Sequence, residues 1–143
     1  MLQNRFQKIL VPIDGSVNSI RGLNEAISLA RQSGSTITGI HILPNFSPKV
    51  AKILKTYRTG LIKNAQKIMS QAETSTARHG IPFNEKIAVS GDVVKTIVAF
   101  AKSSKSDIIV MGSRGESSPH AEYLGSIANG VLHESKVPVL IVK

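Results

Sequence analysis

The sequence predicts a single doubly wound α/β domain, in which five parallel strands form one sheet and helices cover both faces. Short apolar runs alternate with longer amphipathic segments, which is the order that parallel sheets with helical crossovers require. The 143 residues suit one domain. Since no internal repeat or change of composition divides the chain, we interpret residues 1–143 as one domain.

The first unit is a strand followed by a helix. Residues 8–14 (KILVPID) form a short apolar run typical of a buried parallel strand, and Gly15 interrupts it. Ser16 is placed to cap the next helix, which we expect over residues 19–33 because apolar residues recur there at helical spacing. Gly34 provides the usual end of such a helix.

The second unit pairs a strand with a long helix. Residues 36–43 are rich in β-branched side chains and predict the second strand. One apolar stripe predicts a single helix from about residue 49 to residue 79, in which Gly60 marks a bend or a close contact. Gly80 and Pro82 then stop the helix.

The third strand is predicted over residues 83–90, with Ile87 and Val89 facing inward. Asp92 is placed to cap the helix that follows. After this helix, the next apolar run, residues 107–113, predicts the fourth strand.

The carboxyl-terminal unit consists of a polar loop over residues 114–124, a short helix over 126–135 and a fifth strand over 137–142. Ligands of such sheets bind beyond the carboxyl ends of the strands, where the direction of winding reverses. We therefore expect the binding site just after the first and fourth strands.

Composition narrows the classes of function. The chain contains no cysteine, which excludes disulfides, thiolate metal sites and a cysteine nucleophile. No apolar run approaches the ~18 residues of a membrane span, and the first eight residues lack the apolar core of a signal peptide. We therefore expect a cytoplasmic protein without a membrane partner.

The formal net charge of +9 favours anionic partners. Residues 49–79 carry seven Lys or Arg residues against one acidic residue, Glu73. We interpret this stretch as the solvated face of a helix and expect no nucleic-acid partner, because Tyr57 is its only aromatic residue for stacking. A basic interaction module for nucleic acid or membrane, built on residues 49–79, is the alternative.

A glycine pattern between the fourth strand and the last helix is the main chemical signal. Gly112 and Gly115 follow the strand, and after nine intervening residues Gly125-Ser126 stands at the predicted helix start. Glycines after a strand let backbone amides approach an anion closely. The pattern predicts a phosphate site, and its alternative is a tight connection with a helix cap.

The start of the last helix adds to this phosphate site. Gly125, Ser126 and Ile127 would direct free N–H groups outward, where the helix dipole attracts anions. Arg114 would add positive charge and Ser126 a hydroxyl group. The chain has neither Gly-x-x-x-x-Gly-Lys-[Ser/Thr] nor Gly-x-Gly-x-x-Gly after the first strand, which excludes an ordinary P-loop and the usual dinucleotide fingerprint.

The glycine pattern resembles the ATP-binding signature of the universal stress protein family. Residues 107–115 (DIIVMGSRG), 124–128 (LGSIA) and 137–143 (VPVLIVK) are similar to the carboxyl-terminal half of that family. Residues 8–16 (KILVPIDGS) and His41-Ile42 are similar to its first two strands. The resemblance covers essentially the whole chain and implies the adenine nucleotide alpha hydrolase-like, Rossmann-like fold.

The resemblance also implies the binding residues for ATP or another adenine nucleotide. Asp14 corresponds to the acidic residue that contacts the ribose or adenine, with helix capping as its alternative role, and the backbone of Ile42 corresponds to the group that hydrogen-bonds adenine. His41 is expected to be a packed strand residue. A Mg²⁺ or Mn²⁺ ion would accompany the phosphates. The residues implied for the base pocket are Pro12, Ile13 and Met111, and those for ribose and phosphates are Gly112, Arg114, Gly115, Gly125, Ser126 and Ile127.

We expect a nucleotide-regulated stress-response protein with slow ATP hydrolysis or none. Glu116, His120 and Glu122 are the residues best placed to activate water, but acids and histidines of a polar loop are more often solvated. An ATPase or a nucleotidyl-transfer enzyme on the same fold is the alternative.

The resemblance further implies a homodimer through the last strand, residues Val137–Val142. In the family this strand lies at a sheet edge and pairs with its twofold mate. The strand is strongly apolar here, and dimerisation would protect such an edge from other pairing.

Overall fold

The computed structural model describes residues 6–114 and 124–143, which contain five strands and five helices. None of these helices is both long and apolar enough to cross a membrane. In chain order the elements are β1 (Lys8–Pro12), α1 (Val17–Ser33), β2 (Thr36–Leu43), α2 (Pro48–Ile53), α3 (Lys55–Ala77), β3 (Phe83–Val89), α4 (Val93–Ser103), β4 (Ile108–Gly112), α5 (Ser126–Glu134) and β5 (Val139–Val142).

The five strands are parallel and lie in the order β3-β2-β1-β4-β5. The chain winds outward from β1 to β3 and then crosses back to β4, beside β1. Helices α1 and α3 pack on one face of the sheet, and α4 and α5 pack on the other. The predicted doubly wound α/β fold is confirmed, and its switch point lies between β1 and β4.

Two apolar layers hold the helices on the sheet. Successive residues of a strand point to opposite faces, so Ile9 and Val11 pack with α1 and α3, whereas Leu10 packs with α4 and α5. All three side chains are buried. The central strand β1 therefore contributes to both layers, which fixes the position of its carboxyl end.

The predicted helix ends at three positions are confirmed. The Ser16 hydroxyl accepts a hydrogen bond from the Ser19 amide at 3.2 Å, and a carboxylate oxygen of Asp92 accepts one from Lys95 at 3.0 Å. Gly34 ends α1 with φ of 69°, a conformation that costs glycine little.

Most boundaries differ from the prediction by one or two residues. The strand predicted over 8–14 ends at Pro12, where the Asp14 side chain begins a turn by accepting a hydrogen bond from Ser16 N. The first helix begins at Val17 rather than residue 19. The last strand begins two residues later than predicted, because the amide of Val137 bonds to the Ser135 hydroxyl in a turn.

The single long helix predicted over 49–79 is wrong. The helix is interrupted at Leu54, whose φ of −99° and ψ of 28° separate α2 from α3. Gly60 lies inside α3 and marks neither a bend nor a close contact, since a Cβ atom there would meet nothing within 4 Å. Leu54 is the residue between the two helices and belongs to neither. Because no proline or glycine adjoins it, this interruption has no sign in the sequence.

The predicted orientation of Val89 is also wrong. This side chain at the end of β3 is 58% exposed, whereas Ile87 is partly buried against the core as predicted. Because β3 is an edge strand at the limit of the helix layers, alternation along it does not guarantee burial.

Candidate functional site

A pocket of about 190 Å³ lies where the carboxyl ends of β1, β2 and β4 meet, at the switch point of the sheet. Its walls are mainly aliphatic. It brings together many of the residues predicted from the sequence, namely Pro12, Ile13, Asp14, Ile42, Met111, Gly112, Arg114 and Ile127.

Two of the predicted residues have other positions. Gly125 and Ser126 form the start of α5 but are not among the residues that line the pocket. Gly115 lies outside the described residues, as do the three loop residues considered for catalysis, Glu116, His120 and Glu122.

The sequence prediction missed part of the lining. Ile40 and His41 of β2 and Val93 and Ile97 of α4 line the pocket, together with Ser19 and Ala128. The spacing of Val93 and Ile97, four residues apart at the start of α4, was the available signal, since such residues share a helix face. Nothing local in the sequence showed that this face closes the pocket.

Asp14 lies at the mouth of the pocket, just past β1. Its side chain is exposed, and its Oδ1 atom accepts a hydrogen bond from the Ser16 amide at 2.9 Å. This bond orients the carboxylate and leaves the second oxygen, Oδ2, free among the described groups. The N-cap of α1 is Ser16 rather than Asp14, so this turn contact is separate from helix capping and uses only one of the two carboxylate oxygens.

The backbone of Ile42 lies beyond the end of β1 and has no partner there among the described residues. Even-numbered residues of β2 direct their backbone groups toward β1, as the bond from Ile13 N to Ile40 O at 2.8 Å shows. If this pairing continued, the amide of Ile42 would donate to the carbonyl of Ile13. His41 Nδ1 instead donates to that carbonyl at 2.7 Å.

Consequently, neither the N–H nor the C=O of Ile42 has a described backbone partner on the side of the pocket. A donor and an acceptor that adjoin on one strand suit the edge of a planar heterocycle, which presents both kinds of group. The aliphatic walls around them suit its apolar faces.

The start of α5 offers amide groups to the same region. Its N-cap is Gly125, whose own amide donates to the Ser113 carbonyl at 2.7 Å. Because glycine has no side chain, Gly125 makes no cap hydrogen bond to the amides of the first turn. Amides at the start of a helix favour an anion, and here they lie near Ile127, which lines the pocket.

Arg114 adds a cation at the pocket. Its Nε atom is buried and has no hydrogen-bond partner in the described part of the chain. A buried guanidinium N–H without an acceptor costs free energy. The side chain is thus placed to donate to an anionic ligand.

Gly112 serves packing at the strand end. A Cβ atom on Gly112 would lie 2.6 Å from the carbonyl carbon of Asn18, so the first turn of α1 could not approach β4. A Cβ atom on Gly22, one turn further along, would lie 3.0 Å from the Gly112 nitrogen. The two glycines let α1 lie directly on β4, and this requirement exists without any ligand.

A divalent ion would depend on the ligand for most of its coordination. Within residues 6–114 and 124–143, no group of three His, Asp or Glu side chains could hold a metal. Asp14 provides one carboxylate oxygen near the pocket. Mg²⁺ commonly uses one or two carboxylates together with substrate phosphates and water, so the residues present fit an ion that arrives with phosphates.

Comparison with known proteins gives consistent matches. The model of the universal stress protein family matches residues 5–143. A universal stress protein of Bacillus subtilis, YxiE, is 30% identical over 96% of this chain and 99% of its own. UspA of Lactobacillus plantarum has a TM-score of 0.88 at 24% identity, over 97% of this chain and 99% of its own.

A further solved structure is a universal stress protein in complex with cAMP. It is 27% identical to this chain, with a TM-score of 0.76, and the match covers 97% of this chain and 98% of that one.

Proposed function

This chain belongs to the universal stress protein family, and we propose that its strand-end pocket binds an adenine nucleotide, with ATP as the principal ligand. The single observation that carries the proposal is the combination in one pocket of aliphatic walls and the unpartnered Arg114 Nε. The first feature suits a base and the second suits a phosphate. The cAMP complex of a relative supports the adenine class of ligand.

The base would lie between the aliphatic walls, with its edge against Ile42. The free N–H and C=O of Ile42 match the donor and acceptor that the amino side of adenine presents. Guanine has a carbonyl oxygen at the position of that amino group, so it would face the Ile42 carbonyl with an acceptor. The pocket should therefore favour adenine.

The phosphates would extend toward α5 and Arg114, and Oδ2 of Asp14 would contact the ribose. Uncapped amides at the start of α5 and a guanidinium group are both suited to phosphate oxygens. The ion, Mg²⁺ or Mn²⁺, would be held by the phosphates.

We propose that ATP acts here as a ligand that biases conformation or partner choice, with slow hydrolysis or none. Oδ1 of Asp14 is already bonded to the Ser16 amide, and Oδ2 is assigned to the ribose, which leaves this carboxylate poorly placed as a general base. No lysine is among the described residues that line the pocket, so a phosphate-clamping Lys is lacking there.

The proposal includes a cytoplasmic homodimer that pairs through β5. The two edges of the sheet differ, because β3 carries Glu85 and Lys86 whereas β5 consists of four aliphatic residues. Charged residues protect an edge from pairing, and an aliphatic edge invites it.

Calorimetric titration of the stripped protein with ATP, GTP and adenosine in the presence of Mg²⁺ tests the proposal. We expect saturable ATP binding, much weaker GTP binding, and loss of both in Val93→Phe, which places a ring in the pocket. Val98→Phe on the same helix, away from the lining, is the matched control. Absence of ATP binding by the folded wild-type protein would refute the nucleotide site.

A further inference from the structure

The segment after β2 contributes no buried residue to the core until Ala65. We define the basic arm as residues 47–64, which contain α2 and the first part of α3. No residue of α2 is buried, and the buried residues of α3 begin only at Ala65. The first half of the predicted apolar stripe is therefore not buried by any described residue.

Four apolar residues around the interruption between α2 and α3 are open to solvent. Ile53 is 73% exposed and Tyr57 is 59% exposed. Val50 is also exposed, one turn before Ile53 on α2, and Leu54 is exposed at the interruption, three residues before Tyr57. Isolated exposed apolar residues are normal, but a contiguous row of them marks an interaction surface.

Cations border this row without any opposing charge. Lys49 precedes Ile53 by one turn, and Arg58 follows Leu54 by one turn, so each adjoins an edge of the row. Six Lys or Arg residues and no acidic residue occur between residues 44 and 72. Neither α2 nor α3 has an acidic residue in its first turn.

We propose that the basic arm binds the surface of an anionic lipid bilayer, with Ile53 and Tyr57 at the acyl boundary and Lys49 and Arg58 at the headgroups. An exposed apolar row bordered by Lys and Arg is the composition of helices that lie in the membrane interface. The expectation of no membrane partner rested on the lack of a spanning segment, which interfacial binding does not require.

Other occupants fit these residues less well. A second copy of the arm would bring two clusters of cations together, which repel each other. Duplex nucleic acid would use the cations but would leave Ile53 and its apolar neighbours in water. Tyr57 is also in tilted ring contact with Phe46, with centroids 6.4 Å apart, which leaves its ring less available for base stacking.

Vesicle sedimentation tests this proposal with phosphatidylglycerol and phosphatidylcholine vesicles at about 0.1 M salt. We expect binding to the anionic vesicles only. Ile53→Ser should weaken binding about tenfold, and Lys49→Gln combined with Lys52→Gln should weaken it by roughly 30-fold. Val89→Ser, another exposed aliphatic residue, and Lys95→Gln combined with Lys102→Gln on α4 are the matched controls.

Three outcomes would overturn the proposal. The first is no binding of wild-type protein to anionic vesicles. The second is unchanged vesicle binding by Ile53→Ser while a DNA duplex binds tightly, which would assign the arm to nucleic acid. The third is a change of sedimentation coefficient in Ile53→Ser without vesicles, which would assign the surface to a second copy. Both variants alter exposed side chains, so they should fold normally.

Discussion

The Nδ1 atom of His41 lies 2.7 Å from the carbonyl oxygen of Ile13, on the neighbouring strand. A carbonyl only accepts, so Nδ1 must carry the proton. The imidazole thereby occupies the acceptor that the amide of Ile42 would use if β1 continued. Because His41 takes this acceptor, the N–H and C=O of Ile42 have no described backbone partner at the pocket.

We expect His41→Phe to weaken ATP binding roughly tenfold and to lower the free energy of unfolding by about 1–2 kcal/mol. The ring is kept, but Ile13 loses its donor and then competes for the Ile42 amide. Calorimetry and urea denaturation measure the two effects. His79→Phe, an exposed histidine that also bonds a backbone carbonyl, is the control. Unchanged ATP affinity with reduced stability would limit His41 to a structural role.

Two glycine substitutions should have opposite effects on stability. Gly112→Ala should lower the free energy of unfolding by about 1–3 kcal/mol, because the new methyl group overlaps the backbone of Asn18. Gly60→Ala should raise it by up to about 1 kcal/mol, because Gly60 lies in α3 with open space around it. Urea denaturation measures both. A neutral Gly112→Ala would show that α1 can move away from β4.

The elements were predictable because their signals are local. Ser16, Gly34 and Asp92 act through neighbours within four residues, so sequence alone located these helix ends. The interruption at Leu54 was not predictable, since no proline or glycine adjoins it and Gly60 stays helical. The local sequence pattern therefore did not show where the helix is interrupted.

The site was predictable in part for a similar reason. The resemblance and the switch-point rule directed attention to Asp14, Ile42 and the residues after β4. The free backbone of Ile42 was not predictable from physical reasoning, because it depends on where β1 ends and which side of β2 faces it. The role of His41 required the distance to Ile13, a residue 28 positions away.

Asp107 should be an important residue at the opposite end of the sheet. Its Oδ2 atom accepts hydrogen bonds from the amides of Gln7 and Lys8, both at 2.9 Å, and so ties the start of β1 to β4. We expect Asp107→Ala to lower the free energy of unfolding by about 1–3 kcal/mol. Glu73→Ala on the exposed face of α3 should change it by less than about 0.5 kcal/mol. Equal effects of the two substitutions in urea denaturation would contradict this assignment.

Leu140→Lys should convert the proposed homodimer to monomer. This exposed residue lies on β5, and a cation on each partner would meet its mate across the twofold axis. Val89→Lys places the same charge on the other edge strand, β3, and should leave the assembly unchanged. Analytical ultracentrifugation distinguishes the species. A dimer that survives Leu140→Lys and dissociates in Val89→Lys would place the interface on β3.

Arg114→Gln should separate phosphate recognition from base recognition. Among the described residues the buried Nε of Arg114 has no acceptor, and an anion in the pocket would supply one; hydrogen bonds to charged groups contribute about 1.5–3 kcal/mol. We therefore expect ATP affinity to fall by about tenfold to a hundredfold, whereas adenosine affinity stays the same, because adenosine carries no phosphate. The wild-type affinity for ATP should also decrease with salt more steeply than that of the variant.

The matched control for this charge change is Arg21→Gln on the exposed surface of α1. It removes the same charge at a position that does not line the pocket. If both variants lost ATP affinity equally, the attraction would come from the net charge of the protein. If Arg114→Gln weakened adenosine as much as ATP, Arg114 would act by shaping the pocket. Only a selective loss for ATP assigns Arg114 to the phosphates.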